Sequence, residues 1–185
     1  MTYSIVLYNE NDHHDDLIKF TQQAELDGIE NNSSIKKLSL KTESGLFLTY
    51  HDNKIVAMAH THDFSQYYPG AWRIFARTAT LKEYRAKGFP RRRGLVSCSG
   101  LNSHTVPYQV DYAKERGAKF ILWTTNVSGE GLGYAGSAKL DRHFKICEDA
   151  DPTYSFYDEA EIYGVRQSVW KLNYRDILNV EGKLD

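Results

Sequence analysis

The sequence predicts an α/β (α+β) domain built on one mixed sheet flanked by helices, and three observations carry that prediction. Short β-branched and aromatic runs recur along the chain, each bounded by turn-forming residues. Between some of them, apolar residues return at helical spacing. At 185 residues the chain is long enough to bury one sizeable core and short for two, so residues 1–185 are expected to form a single domain.

The elements follow in order. Tyr3 to Tyr8 (YSIVLY) has the composition of a strand, and Asn-Glu-Asn-Asp after it suits a helix cap. Leu17, Phe20, Ala24 and Ile29 then recur at helical spacing, with Asp27-Gly28 as a stop. Leu46 to Tyr50 and Ile55 to His60 flank His-Asp-Asn-Lys, in which Asp52-Asn53 suits a tight hairpin. Trp72 to Leu81 alternates large apolar and polar residues after the turn signal Tyr68-Pro69-Gly70. Gly94, Gly100 and Pro107 oppose a helix directly after that strand, so the next helix is expected to be broken or delayed to about Thr105, with Pro107 in its first turn. Lys119 to Thr125 is almost wholly apolar, as in a strand covered on both faces. A short helix over Ala135 to Phe144 and an alternating strand over Arg166 to Tyr174 complete the order β, α, β, β, β, α, β, α, β.

Composition excludes several classes. With 23 Lys and Arg against 24 Asp and Glu the formal net charge is −1, so a general polyanion binder is not indicated and no nucleic-acid partner is expected. No apolar run approaches the roughly 20 residues of a membrane helix, and the amino terminus lacks the basic and apolar regions of a signal peptide. The expectation is a cytoplasmic protein that does not span a membrane. Cys98 and Cys147 form no C-x-x-C pair or disulfide framework.

Against this balanced background, Glu83 to Gly94 (EYRAKGFPRRRG) places five cations within the nine positions from Arg85 to Arg93. Alone, such a cationic run more often lies on a solvated face than in an anion site. With the element order, Thr80-Leu81-Lys82-Glu83-Tyr84-Arg85-Ala86-Lys87-Gly88-Phe89-Pro90-Arg91 resembles the acyl-CoA loop of the GNAT acetyltransferase superfamily, Q/R-x-x-G-x-G/A, with Arg85, Ala86, Lys87 and Gly88 matching and Pro90 departing from it. The resemblance covers residues 3 to 174 and implies a GNAT-like, largely antiparallel mixed sheet flanked by helices. It also implies transfer of an acyl group, in the first instance acetyl, from acetyl-CoA as co-substrate to an amine acceptor.

What the resemblance implies for the site is specific. Arg85, Ala86, Lys87, Gly88, Phe89, Arg91 and Arg92, with Arg93, would hold the CoA phosphates, although Pro90 removes one N–H donor. Backbone groups of Thr78, Ala79 and Thr80 would pair with the pantetheine amides, and Asn126 would contact the same arm. Tyr134 is the candidate acid, although it lies early for the family's helical tyrosine. His62, from the H-T-H of His60 to His62, is the candidate base. No third ligand at a fixed offset accompanies these histidines, so no metal site is expected. Phe64, Tyr67, Tyr68 and Trp72 either line an acceptor pocket or pack as a lid on the sheet. The missing matches leave a second reading open, a catalytically inactive GNAT-like module that binds a ligand or partner. Neither the acceptor nor the oligomeric state is legible in the sequence.

Overall fold

The structure is a computed structural model and describes residues 3–28, 44–85, 101–127, 141, 145 and 154–173. Seven strands form one sheet in the order β1-β2-β3-β4-β5-β7-β6. Their ranges are β1 Tyr3–Leu7, β2 Ser44–His51, β3 Lys54–Asp63, β4 Ala71–Thr80, β5 Phe120–Asn126, β6 Tyr154–Ile162 and β7 Val165–Leu172. Every neighbouring pair is antiparallel except β4 with β5, which is parallel. Helix α1 spans Glu10–Leu26 and helix α2 spans Val106–Glu115.

Local chemistry sets these boundaries. Asn9 caps α1 by accepting the Asn11 N–H at 3.0 Å, and Leu17, Phe20 and Ala24 form its buried stripe against Leu46, Leu48, Met58 and Leu81. Asp52 and Asn53 both adopt positive φ, 48° and 65°, the geometry of a two-residue type I′ hairpin between β2 and β3. Helix α2 begins only at Val106, after a 3₁₀ turn over Leu101–Thr105, with Pro107 in its first turn. The helix thus starts next to Thr105, where the sequence predicts it.

The sheet has one strand more than the sequence pattern predicts. β6 is one of the two edge strands, and Asp158, Glu159 and Glu161 break its apolar alternation, as acids on an edge do when they discourage pairing with another chain. Tyr163-Gly164, both at positive φ, close a second tight hairpin from β6 into β7. The last strand runs Val165–Leu172 rather than to Tyr174. Ile29 and most of the helix expected over residues 135–144 lie outside the described residues; within that stretch Asp141 is helical. Among the described residues no helix is long and apolar enough to cross a membrane.

The two sheet faces have separate cores. Val106, Val110 and Ala113 of α2 pack on Ala59, Trp72, Ile74, Phe75, Ile121, Trp123 and Trp170. On the opposite face α1 covers the β2–β3 side, while Phe64, Leu122, Ile162 and Val169 form a smaller cluster beyond it.

Candidate active site where β4 and β5 part

β4 is the central strand, yet its parallel pairing with β5 covers only Ala71, Trp72 and Arg73 against Phe120, Ile121 and Leu122. Beyond Arg73 the two strands part. The register across β3 shows why: Arg73 faces His62 and Arg77 faces His60, so Ile74, Phe75 and Ala76 together oppose the single residue Thr61. This is a bulge with two extra residues on β4, and Phe75 within it adopts φ 52°, a conformation that costs a bulky residue about 1–2 kcal/mol.

Side chains hold the strain in place. The Phe75 N–H donates to Gln109 Oε1 at 3.0 Å. Gln109 is fully buried on α2, and its Nε2 donates to Thr105 Oγ1 at 2.8 Å. Thr105 Oγ1 in turn donates to the Asn102 carbonyl at 2.7 Å. Thr105 therefore does not cap α2; its hydroxyl fixes the glutamine. On the β3 side, Thr61 Oγ1 donates to the Arg73 carbonyl at 2.8 Å. The Phe75 ring stands 4.7 Å from Trp123 of β5, a wedge between the parting strands.

The result is an opening in the middle of a sheet. Arg77 and Thr78 are consecutive and both exposed, and successive strand residues point to opposite faces. Solvent therefore reaches the central strand from both sides. Leu81 N–H donates to the Val56 carbonyl at 3.0 Å, so the alternation of an antiparallel ladder turns the main-chain groups of Thr78 and Thr80 away from β3, toward the opening. The Thr80 carbonyl accepts Arg85 Nε at 2.8 Å, and Asn102 Nδ2 reaches Thr80 Oγ1 at 3.0 Å. Ala79 is buried against α1. On the other rim, Asn126 ends β5, buried and paired with Gln167 of β7.

The far side of the opening is fixed by a polar chain. Thr125 Oγ1 accepts Trp170 Nε1 at 2.8 Å and donates to Asp141 Oδ1 at 2.8 Å. Asp141, buried, meets Lys145 Nζ at 3.0 Å, and Lys145 also reaches Glu159 of β6, which pairs with Arg166. A helical carboxylate is thus tied through β5 to the β6–β7 hairpin.

The other predicted site residues fall as follows. Thr78, Ala79 and Thr80 lie on one rim and Asn126 ends the other strand. Arg85 closes the short turn after β4 with its guanidinium folded back on Thr80. Ala86, Lys87, Gly88, Phe89, Arg91, Arg92 and Tyr134 lie outside the described residues. His62 Nδ1–H donates to the Asp63 carbonyl at 2.5 Å, which in a neutral imidazole puts the ring's lone pair on Nε2. The aromatic group divides: Phe64 is buried with Tyr67 and Tyr68 against it, a lid packed on the sheet, whereas Trp72 faces the other way, 5.9 Å from Tyr112 of α2. Among the described residues no group of three or more His, Cys, Asp or Glu is arranged to hold a metal ion.

Asp27 is a residue that sequence reasoning missed. Its Oδ2 accepts the Lys82 N–H at 2.6 Å and its Oδ1 accepts Gln23 Nε2 at 3.2 Å, tying the end of α1 to the start of the basic stretch. The Lys82 N–H, with help from Gln23 and the nearby Arg85 and Lys82 charges, holds the carboxyl below its usual 3.8. A depressed carboxyl pKa contributes stability above the unfolded value that is lost as pH falls through the folded value. Asp27→Asn, which keeps an acceptor but no charge, is therefore expected to lower the urea midpoint at pH 7 and to flatten its decline below about pH 5. A parallel decline in both proteins would remove Asp27 from this role.

No protein-family model matches the sequence, and no curated protein matches it. Solved structures do. A GNAT-family protein from Desulfovibrio desulfuricans superposes with a TM-score of 0.60 over 93% of this chain and 99% of its own, at 10% identity. The chain has the GNAT acetyltransferase fold. The ribosomal-protein-S18-alanine N-acetyltransferase of Escherichia coli matches with a TM-score of 0.55, covering 92% of this chain and 93% of its own at 12% identity. PaiA N-acetyltransferase from Thermoplasma acidophilum, solved in complex with coenzyme A, matches with a TM-score of 0.52 over 94% of this chain and all of its own at 10% identity. The GNAT fold accounts for the mixed, largely antiparallel sheet and its flanking helices.

Proposed function

We propose that the protein is an acyl-CoA-dependent N-acyltransferase that moves an acetyl group from acetyl-CoA to an amine. The observation that carries this reading is the parting of β4 from β5, which opens the sheet's central strand to both faces at Arg77 and Thr78. Two co-substrates can then meet from opposite sides without crossing the core. The main-chain edges of Thr78 and Thr80 suit the amides of a pantetheine arm, with Asn126 across from them. Arg85 to Gly88, Phe89, Arg91 and Arg92 would hold the phosphates, since backbone N–H groups and guanidinium forks both favour an anion.

The chemistry asks for few groups. An amine that has lost its proton attacks the thioester carbonyl, a C–N bond forms, the C–S bond breaks, and the departing sulfur takes a proton. His62, its Nδ1–H directed at Asp63, has the tautomer of a base acting through Nε2. Tyr134 is the proposed acid. A coenzyme A complex in a solved structure of the same fold supports acyl-CoA as the ligand class.

The test is calorimetric titration of the purified protein with acetyl-CoA and with CoA, at low and moderate salt. One-to-one binding that survives salt is expected, and Arg91→Ala, Arg92→Ala and Arg93→Ala together should weaken it by about tenfold or more. Absence of binding would replace this reading with the non-catalytic module.

A further inference from the structure

On the α2 side of the sheet, the strands that part change character along their length. β5 presents Ile121 and Trp123 to that side and then Thr125, which bonds Trp170. β4 presents Ile74 and Phe75 and then Thr78 and Thr80, paired with Ala59 and Ala57 of β3. The apolar part lies at the vertex, beside the last paired residues Arg73 and Leu122, and the polar part lies toward the strand ends.

Two rings stand at that vertex. Ile74 and Phe75 are consecutive and nevertheless share one core cluster, whereas in a regular strand they would point to opposite faces. The bulge and the positive φ of Phe75 bring its ring to the α2 side, beside Trp123. Phe75 and Trp123, 8% and 6% exposed, are the least covered members of that cluster, as rings at the floor of an opening are. Their centres are 4.7 Å apart. A hydrocarbon chain between two rings needs about 7–8 Å, two carbon contacts of 3.5–4.0 Å. No acyl chain threads between them, and the opening ends there.

The order of the ligand follows from the order of the strand. With phosphates at the stretch that begins with Arg85, an arm running back along Thr80 and Thr78 brings its far end to Phe75. From Thr80 to Phe75 the strand spans at most about 17 Å. Resting on the acyl-transfer reading, we infer that Phe75 and Trp123 determine which acyl group is accepted: they close the vertex and restrict the donor to acetyl-CoA and its near homologue propionyl-CoA. A longer chain has to displace a ring packed in the core on one side and fixed on the other by the bond from the Phe75 N–H to Gln109. Close-packed interiors resist such displacement. An opening that continued past the rings would instead reward length, by about fourfold in affinity per added methylene.

The experiment is a length series. Acetyl-, propionyl-, butyryl- and hexanoyl-CoA are titrated calorimetrically into the protein. Acetyl- and propionyl-CoA should bind alike, butyryl-CoA more weakly, and hexanoyl-CoA about tenfold or more below acetyl-CoA. Phe75→Gly removes one ring, and glycine takes positive φ without strain, which offsets part of the lost packing. In that variant hexanoyl-CoA should bind at least as tightly as acetyl-CoA. Trp123→Phe should move the order in the same direction, while Val110→Ala, on α2 in the same core cluster, should leave the order unchanged. Circular dichroism checks that each variant is folded, and the order in the parent protein decides by itself if the ring variants are not. Affinity that rises with chain length, equal affinity for all four thioesters, or an order that survives both Phe75→Gly and Trp123→Phe would overturn the inference. Binding of acetyl-CoA without any dependence on length removes only the size limit. Failure of all four thioesters and of CoA itself to bind removes acyl transfer, and the size limit with it.

Discussion

Thr78→Trp should reduce acetyl-CoA affinity by about a hundredfold or more, whereas Thr78→Ala should leave it nearly unchanged. Thr78 is exposed at the opening, its main chain turned toward β5. If the pantetheine pairs with that main chain, the side chain contributes little and alanine is tolerated. An indole, by contrast, fills the space the arm must occupy. Because the position is solvent-exposed, stability should move by no more than about 0.5 kcal/mol in either variant. Calorimetric titration reads affinity and urea unfolding reads stability. A tryptophan variant that binds acetyl-CoA like the parent would show that the ligand does not enter between β4 and β5.

Gln109→Leu should destabilise the fold by about 1–3 kcal/mol, the cost of leaving a buried donor unmet, and should weaken acetyl-CoA binding as well. Leucine approximates the volume of glutamine, so packing of α2 changes little, but the Phe75 N–H loses its acceptor and Thr105 loses its donor. With nothing holding Phe75 at positive φ, β4 gains by relaxing toward a regular strand and closing on β5. The paired losses separate this from a simple core defect: Val110→Ala, on the same buried stripe but without a bond to β4, should lower the urea midpoint while affinity at temperatures well below unfolding stays near native. Unchanged stability in Gln109→Leu would mean that the bulge has another support.

The fold was largely legible because its elements obey local rules. Asp52-Asn53 marks a hairpin by tolerance of positive φ, Pro107 marks a helix start, and Leu17, Phe20 and Ala24 mark a buried stripe. β6 escaped because edge strands need only one pairing partner and carry acids that interrupt alternation. The parting of the strands left little trace in the sequence. It depends on Phe75, a residue type that ordinarily avoids positive φ, and on Gln109, thirty-four positions away. One trace was present: a glutamine between Val106 and Val110, inside an otherwise apolar helix stripe. Asp27 was read as a helix stop, and its grip on Lys82 spans 55 positions, beyond any local pattern. The Arg–His pairs required the register of β3 against β4, which the bulge shifts.

The three residue pairs between β4 and β5 have a consequence for how the domain comes together. On one side of that seam, β2, β3 and β4 follow one another through short hairpins, and β1 adds to their edge. On the other, β6 and β7 form a hairpin that docks on β5. Each half is a blade with mostly local contacts, and among the described residues two elements lie across both: α2, with Val106, Val110 and Ala113 touching Ile74 and Phe75 on one side and Ile121, Trp123 and Trp170 on the other, and the segment between β3 and β4, where Phe64 packs with Leu122, Ile162 and Val169 and the Tyr68 hydroxyl donates to Asp158. Short-range pairing is fast to form and long-range closure is slow. The seam is therefore the last part of the sheet to assemble and the first to loosen, and the helix that strains Phe75 is also one of the straps that keep two folding units in one body.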